Sequence, residues 1–190
     1  MSQSRPSIRS ANILFFVVIA LAIGIGSWLQ ANSFNLGLAL TETFIILVPT
    51  LIALAWGRLN ARETLLLKPL SLSSIALCVA IGIVGWPLAV SLGALSELAM
   101  RLFGPLPAPL IPPITGPRDA VAYLILFSFL APLCEETLMR GFIQRAYERQ
   151  GMQWSVLYGA LFFGLFHLSP ARFLSTAFLG PVSYTHLTLP

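Results

Sequence analysis

The chain predicts an all-α fold, a polytopic transmembrane helical bundle with about six visible spans, the last incomplete. Three observations carry that expectation. Hydrophobic residues make up 57% of the 190 and charged residues only 9%, against roughly 25% charged in an ordinary soluble domain. The mean hydropathy of +0.85 spreads that apolar surplus over most of the chain. The apolar residues also gather in runs close to the roughly 20 residues that cross a bilayer core. With 11 basic and 7 acidic side chains there is too little charge to coat a soluble domain of this size, so a soluble globule is excluded. A net charge of +4 would suggest nucleic acid as a partner for a soluble chain. Here the Lys and Arg residues read as topology signals, and the expected partner is membrane lipid, not nucleic acid.

The first span is Ile13 to Leu29, an uninterrupted apolar run inside a stretch from Arg9 to Glu42 that holds no charge. A signal peptide competes for this segment, because Arg5 and Arg9 form a basic flank and Ala31-Asn32-Ser33 resembles a cleavage site. The length of the run and the spans that follow favour a retained helix. Leu36 to Trp56 is the second span, interrupted by Glu42 and Pro49, and Ser73 to Leu98 is the third, with Gly82, Gly85 and Pro87 inside it. Lipid-embedded helices tolerate such residues. Six prolines between Phe103 and Arg118 forbid a helix and mark the one clear linker. Ala120 to Cys134 is too short to cross, so the fourth helix must continue through Glu135, Glu136 and Arg140 to about Gln144, which places charge within the depth of the membrane. The fifth span is Trp154 to Leu168, and a sixth begins near Phe173. With the N-terminus inside, Arg5, Arg9, Arg58, Arg62, Lys68, Arg140, Arg145 and Arg149 lie on the inner side, against Arg101, Arg118 and Arg172 outside. That asymmetry predicts a cytoplasmic N-terminus.

Ionisable groups inside lipid are costly, so those that persist usually face protein and often serve a function. Five qualify: Glu42, Glu135, Glu136, Arg140 and His167. Four of them form two short patterns, Glu135-Glu136-x-x-x-Arg140-Gly141 and Phe163-x-x-x-His167. Glu136 and Arg140 are four residues apart on a helix and can pair on one face. Glu135, turned about 100° away, is free to face a neighbouring helix. Phe163 and His167 share a face, with Gly164 beside them permitting close helix approach. At about 1.5 Å per residue, Glu135 lies roughly 15 Å above Arg145 and His167 roughly 20 Å above Trp154, so antiparallel neighbours would bring the two patterns to similar depth. A carboxylate facing an imidazole, with a second carboxylate paired to arginine and bulk water excluded, suits hydrolysis by an activated water.

Blander readings exist for each residue. The two glutamates follow Pro132 and suit the start of a helix, with Arg140 as an ordinary partner. His167 equally suits an interhelical hydrogen bond. Glu42 has no partner in sequence, which favours a structural or interface role. Cys134 adjoins Glu135, but nothing nearby in sequence would lower its pKa as a nucleophile needs. Cys78 and Cys134 form no disulfide framework or CxxC site, and both read as small buried packing residues.

In order and at this spacing, EETLMRG and FGLFH resemble the motifs of the CPBP family of intramembrane metalloproteases, which includes the Rce1-like CaaX proteases, Abi and bacteriocin-processing proteins. The resemblance runs from about Arg58 to Gly180 and is strongest from Leu133 to Leu168. It implies proteolysis within the membrane of a membrane-associated protein or peptide. Glu135 and His167 would activate a water, and Glu136 and Arg140 would be the supporting acid and base. It also implies a divalent metal, zinc, with Glu135 and His167 as ligands, and a bacterial plasma-membrane location. Eukaryotic relatives cleave prenylated CaaX proteins, whereas bacterial ones include bacteriocin-immunity and processing proteins with other targets. The family's third motif, a histidine followed four residues later by Asn or Asp, is not seen: His186 lies too close to His167, and position 190 is Pro190.

The apolar run of the sixth span stops halfway across a bilayer core. The segment Val182 to Pro190 (VSYTHLTLP) reads as a translated sequencing adapter derived from a transposon end. Residues 1–181 are therefore expected to be the native integral membrane domain, with the motifs in about 120–181, and 182–190 an artefact. On that expectation the chain is a fragment that lacks its third motif, a loss that can leave it inactive. Two other function classes were weighed. A non-catalytic scaffold, such as a bacteriocin self-immunity or partner-binding protein, would keep the fold without the chemistry. A transporter component should show repeated broken helices, and no such repeat is found.

Overall fold

Proline placement accounts for two of the stretches where these helices widen and for the start of one helix. In the computed structural model of the chain, which describes residues 5–67, 69, 71–105 and 111–178, Pro49 and Pro132 each follow a stretch that opens to i→i+5 hydrogen bonding. These stretches are Thr41–Leu47 and Leu126–Leu130. A proline inside a helix has no N–H, and its ring crowds the carbonyl four residues back, here Ile45 and Ser128. A wider turn relieves that crowding without ending the helix. Pro117 sits instead in the first turn of its helix, where no N–H is needed.

The elements are α1 (Ile8–Asn32), α2 (Phe34–Trp56), α4 (Leu72–Arg101), α5 (Pro117–Gln150) and α6 (Met152–Phe166), with a short α3 (Ala61–Thr64) and α7 over 170–178. There is no strand among the described residues, and the protein is an all-α membrane bundle. Four helices, α1, α2, α4 and α5, are long and apolar enough to cross a membrane. The fourth expected span continues past its charged residues and extends beyond Gln144 to Gln150. The fifth, α6, has 15 residues, as long as the expected run but beginning two residues earlier, and its length of about 22 Å is below the roughly 30 Å of a hydrocarbon core. Residues 111–116 of the proline-rich linker are non-helical. Lys68, residues 106–110, the far part of the sixth span, His186, Pro190 and segment 182–190 lie outside the described residues.

Helix starts are fixed by side chains. Ser7 Oγ accepts from the Ser10 N–H at 3.0 Å to start α1, and Ser71 Oγ accepts from the Ser74 N–H at 3.1 Å to start α4. Asp119 in the first turn of α5 reaches back and accepts from the Thr115 N–H at 3.0 Å and the Thr115 hydroxyl at 2.5 Å. Each bond satisfies a donor that the helix or the chain entering it leaves open.

The chain divides into two compact units, one joining the residues up to Leu67 with those from 111 to Tyr147, the other holding the rest. In the first unit α1 packs on the second half of α2 and on Thr137–Tyr147 of α5, and Thr41–Leu47 of α2 packs on Ala131–Glu136 of α5. The buried side chains Ala11, Leu14, Phe15 and Val18 of α1 follow the three-and-four spacing of one helix face. They share the core of this unit with Ile46, Leu138, Phe142 and Ile143. In lipid such packing gains little from water release, so close fit and dispersion hold the helices together. Gly37 shows how close: a Cβ there would collide with the backbone of Leu29 and Gln30 across the turn between α1 and α2. The Tyr147 hydroxyl donates to Asn12 Oδ1 at 2.7 Å and ties the end of α5 to α1.

In the second unit, α4 exposes Ile83, Val84 and Trp86, apolar exposure of the kind that lipid accommodates. Cys78 is exposed on this helix, contrary to the expectation of a buried packing residue, because α4 buries only Ala89 and Ser96. Gly164 of α6 lies beneath Phe173 and Ala177 of α7, whose nearest atoms stand 2.8 and 3.1 Å from where a Cβ would be.

Candidate active site

The Glu135–Arg140 segment sits where α5 changes character. Glu135 and Glu136 close an α-helical stretch, and from Thr137 to Gln144 the helix widens, a local deformation that often accompanies functional positions. Arg140 Nε pairs with Glu136 across one turn, as the spacing predicts. The Arg140 side chain is 11% exposed and that of Glu136 46%, so the cation is the better-shielded partner. Leu65, from the segment after α3, packs over Gly141, and Arg145 Nη2 donates to the Glu63 carbonyl at 3.4 Å. The widened turn is thereby held from outside the helix.

Glu135 is half-buried and has no hydrogen bond or ion pair among the described residues. It lies beside α2. Glu42 is 5% exposed, sits in the widened stretch of α2 that packs on Ala131–Glu136, and is close enough to Glu135 for the two charges to interact. Glu42 Oε2 is buried without a hydrogen-bond partner. Cys134, fully buried, feels both carboxylates. With no exposed surface, Cys134 serves packing. The pairing of Glu42 with Glu135 was not visible in sequence. The only hint was that Glu42 is one of so few intramembrane charges, and pairing it required knowing which helices touch.

In the second unit, His167 caps the C-terminal end of α6. Its Nδ1 lies 2.9 Å from the Phe163 carbonyl. Because a carbonyl only accepts, Nδ1 carries the proton and the Nε2 lone pair is left open. The Phe163 ring meets the imidazole edge-to-face at 5.0 Å, and the Phe166 ring stands at 6.1 Å. Leu168 follows at φ 50°, a left-handed residue that stops the helix directly after His167. The shared face of Phe163 and His167 and the close approach at Gly164 are both as the sequence suggests. Glu135 and His167 belong to different units, and each is placed within its own.

The type II CAAX prenyl endopeptidase Rce1-like family model matches residues 117–187. That segment of the chain is Rce1-like. It takes in α5, α6 and α7 and therefore both motifs, and Glu42 lies outside it. The Rce1-like family is a family of membrane proteases, and with four helices suited to crossing a bilayer the chain is an integral membrane protein. Neither the curated proteins nor the solved structures contain a match to the chain.

The resemblance implies a divalent metal held by Glu135 and His167. Among the described residues no three His, Cys, Asp or Glu side chains are grouped to hold an ion. In its own unit Glu135 has Glu42 on the packed stretch of α2, and Glu136 is committed to Arg140. A groove of about 270 Å³ lined by Ser33, Asn35, Pro112, Thr115, Asp119 and Tyr123 lies about 18 Å along α5 from Glu135, too far to be the reacting site.

Proposed function

We propose that the chain is an intramembrane endopeptidase that hydrolyses peptide bonds of a membrane-associated protein or peptide, in a bacterial plasma membrane with its N-terminus cytoplasmic. Glu135 takes a proton from a water molecule, whose oxygen attacks the scissile carbonyl carbon. Glu135 then gives that proton to the leaving amine as the C–N bond breaks, and the resemblance assigns His167, whose Nε2 is open, to the same water. Glu136 and Arg140 neutralise one another, so Arg140 holds the widened turn without quenching Glu135. The observation that carries this reading is Glu135 itself, a half-buried carboxylate in an Rce1-like segment, whose nearest arginine is paired with the adjacent glutamate. A carboxylate left unquenched in a water-poor setting has the properties of a general base.

A non-catalytic scaffold remains the competing class. To separate the two, Glu135→Ala and His167→Ala are made singly in the full chain. Each is assayed in proteoliposomes with internally quenched peptides, one ending in a farnesylated CaaX box and one unprenylated. Cleavage by the parent chain and its loss in both variants, at equal membrane levels, is the expected result. Undiminished cleavage in both variants, or none by the parent chain, contradicts the proposal.

A further inference from the structure

Glu42 belongs to neither motif and lies outside the Rce1-like segment, yet it is the most deeply buried carboxylate in the described chain. Its Oε2 has no partner, it lies on the stretch of α2 that packs on Ala131–Glu136, within range of the Glu135 charge, and the widening of that stretch follows from Pro49. A purely structural glutamate would be expected to meet a donor, because a buried acceptor left unsatisfied costs free energy. Two carboxylates brought near one another also repel, unless something between them donates to both. One small molecule does this with two hydrogens: water.

From this we infer that Glu42 is a further catalytic residue, which binds the nucleophilic water together with Glu135. This rests on the reading of Glu135 as the general base. One O–H of the water points to Glu135 and is the proton removed. The other points to Glu42 Oε2 and stays on the oxygen through the attack. When the C–N bond breaks, that hydrogen remains on the new carboxylic acid, while the proton taken by Glu135 leaves with the amine. Glu42 gains no proton and loses none. It orients the oxygen's lone pair toward the carbonyl, and orientation of this kind is worth about 10²-fold in rate. The binding of the water itself needs only Glu42 and Glu135, both residues of the first unit. It also explains why an orphan carboxylate is kept in α2, where a leucine would pack at lower cost.

The test uses the full chain in proteoliposomes of phosphatidylethanolamine and phosphatidylglycerol with the same two quenched peptides, comparing the parent with Glu42→Gln, Glu42→Leu, Glu42→Asp and Glu135→Gln. Glu42→Gln should lower kcat by about 10²-fold and leave KM within about twofold, and Glu42→Asp should restore part of the loss. Because the carboxylate is an unsatisfied burden on the fold, Glu42→Leu should melt at or above the parent temperature, by up to about 6 °C. Parent-like kcat in Glu42→Gln, with Glu135→Gln inactive, overturns the role of Glu42 and leaves the general-base reading intact. A fall in melting temperature in both Glu42→Gln and Glu42→Leu assigns Glu42 to structure and also overturns it. Parent-like kcat in Glu135→Gln removes the general-base reading, and this inference with it.

Discussion

Replacing Gly37 by alanine should damage the fold more than its single added methyl suggests. Gly37 lies just inside α2, opposite the last turn of α1, and a Cβ would stand 2.5 Å from the amide nitrogen of Gln30, with the Leu29 carbonyl group nearer still. Favourable separations begin near 3.5 Å, so the two backbones must part by about 1 Å, and no side chain is available to rotate away instead. Overpacking of this kind costs about 1–3 kcal/mol. At about 2–4 °C per kcal/mol for a chain of this size, the loss in melting temperature should be roughly 2–12 °C, read by thermal unfolding in detergent. Gly82→Ala and Gly85→Ala are the controls: both lie within α4 with nothing near the added methyl, and alanine should stabilise each by about 0.5–1 kcal/mol. A Gly37→Ala protein that melts with the parent would refute the close approach of α1 and α2, and with it the placement of Glu42 five residues further along α2.

Three further outcomes follow from the packing. Gly164→Leu should lower the melting temperature by a cost of about 1–3 kcal/mol, because the Phe173 ring and Ala177 occupy the space; an unchanged melting curve would contradict the contact of α6 with α7. Tyr147→Phe and Asn12→Ala should each cost about 0.5–1.5 kcal/mol. The double variant should cost less than their sum, since both remove the same 2.7 Å bond; strict additivity would show that the bond contributes nothing. Arg140→Lys should retain more stability than Arg140→Ala, as the pair with Glu136 depends on charge and on the fixed guanidinium fork, and equal melting points for the two would count against the pair.

Much of the fold is legible in the sequence because a membrane demands long apolar runs, and the ends of α2, α4 and α5 fall near those runs. The Glu136–Arg140 pair and the Phe163–His167 contact are legible for a similar reason, since helix geometry alone brings residues four apart together. What the sequence does not carry is the meeting of residues from different helices. Glu42 looks solitary when read along the chain, and its neighbour Glu135 appears only when α2 lies against α5. The widened turns are half-legible: Pro49 and Pro132 signal a disturbance, but not that the helix would widen in place of kinking. Cys78 was misread because apolar surroundings in sequence imply burial only where water is the solvent.

The central claim is that Glu135 is a working general base, and turnover by its isosteric variant tests it most directly. Glu135→Gln keeps shape and polarity and removes only the ability to take a proton. Single-turnover hydrolysis of the quenched peptides in proteoliposomes should fall by about 10²–10⁴-fold at an unchanged melting temperature. Hydrolysis at the parent rate by a correctly folded Glu135→Gln chain would contradict the account.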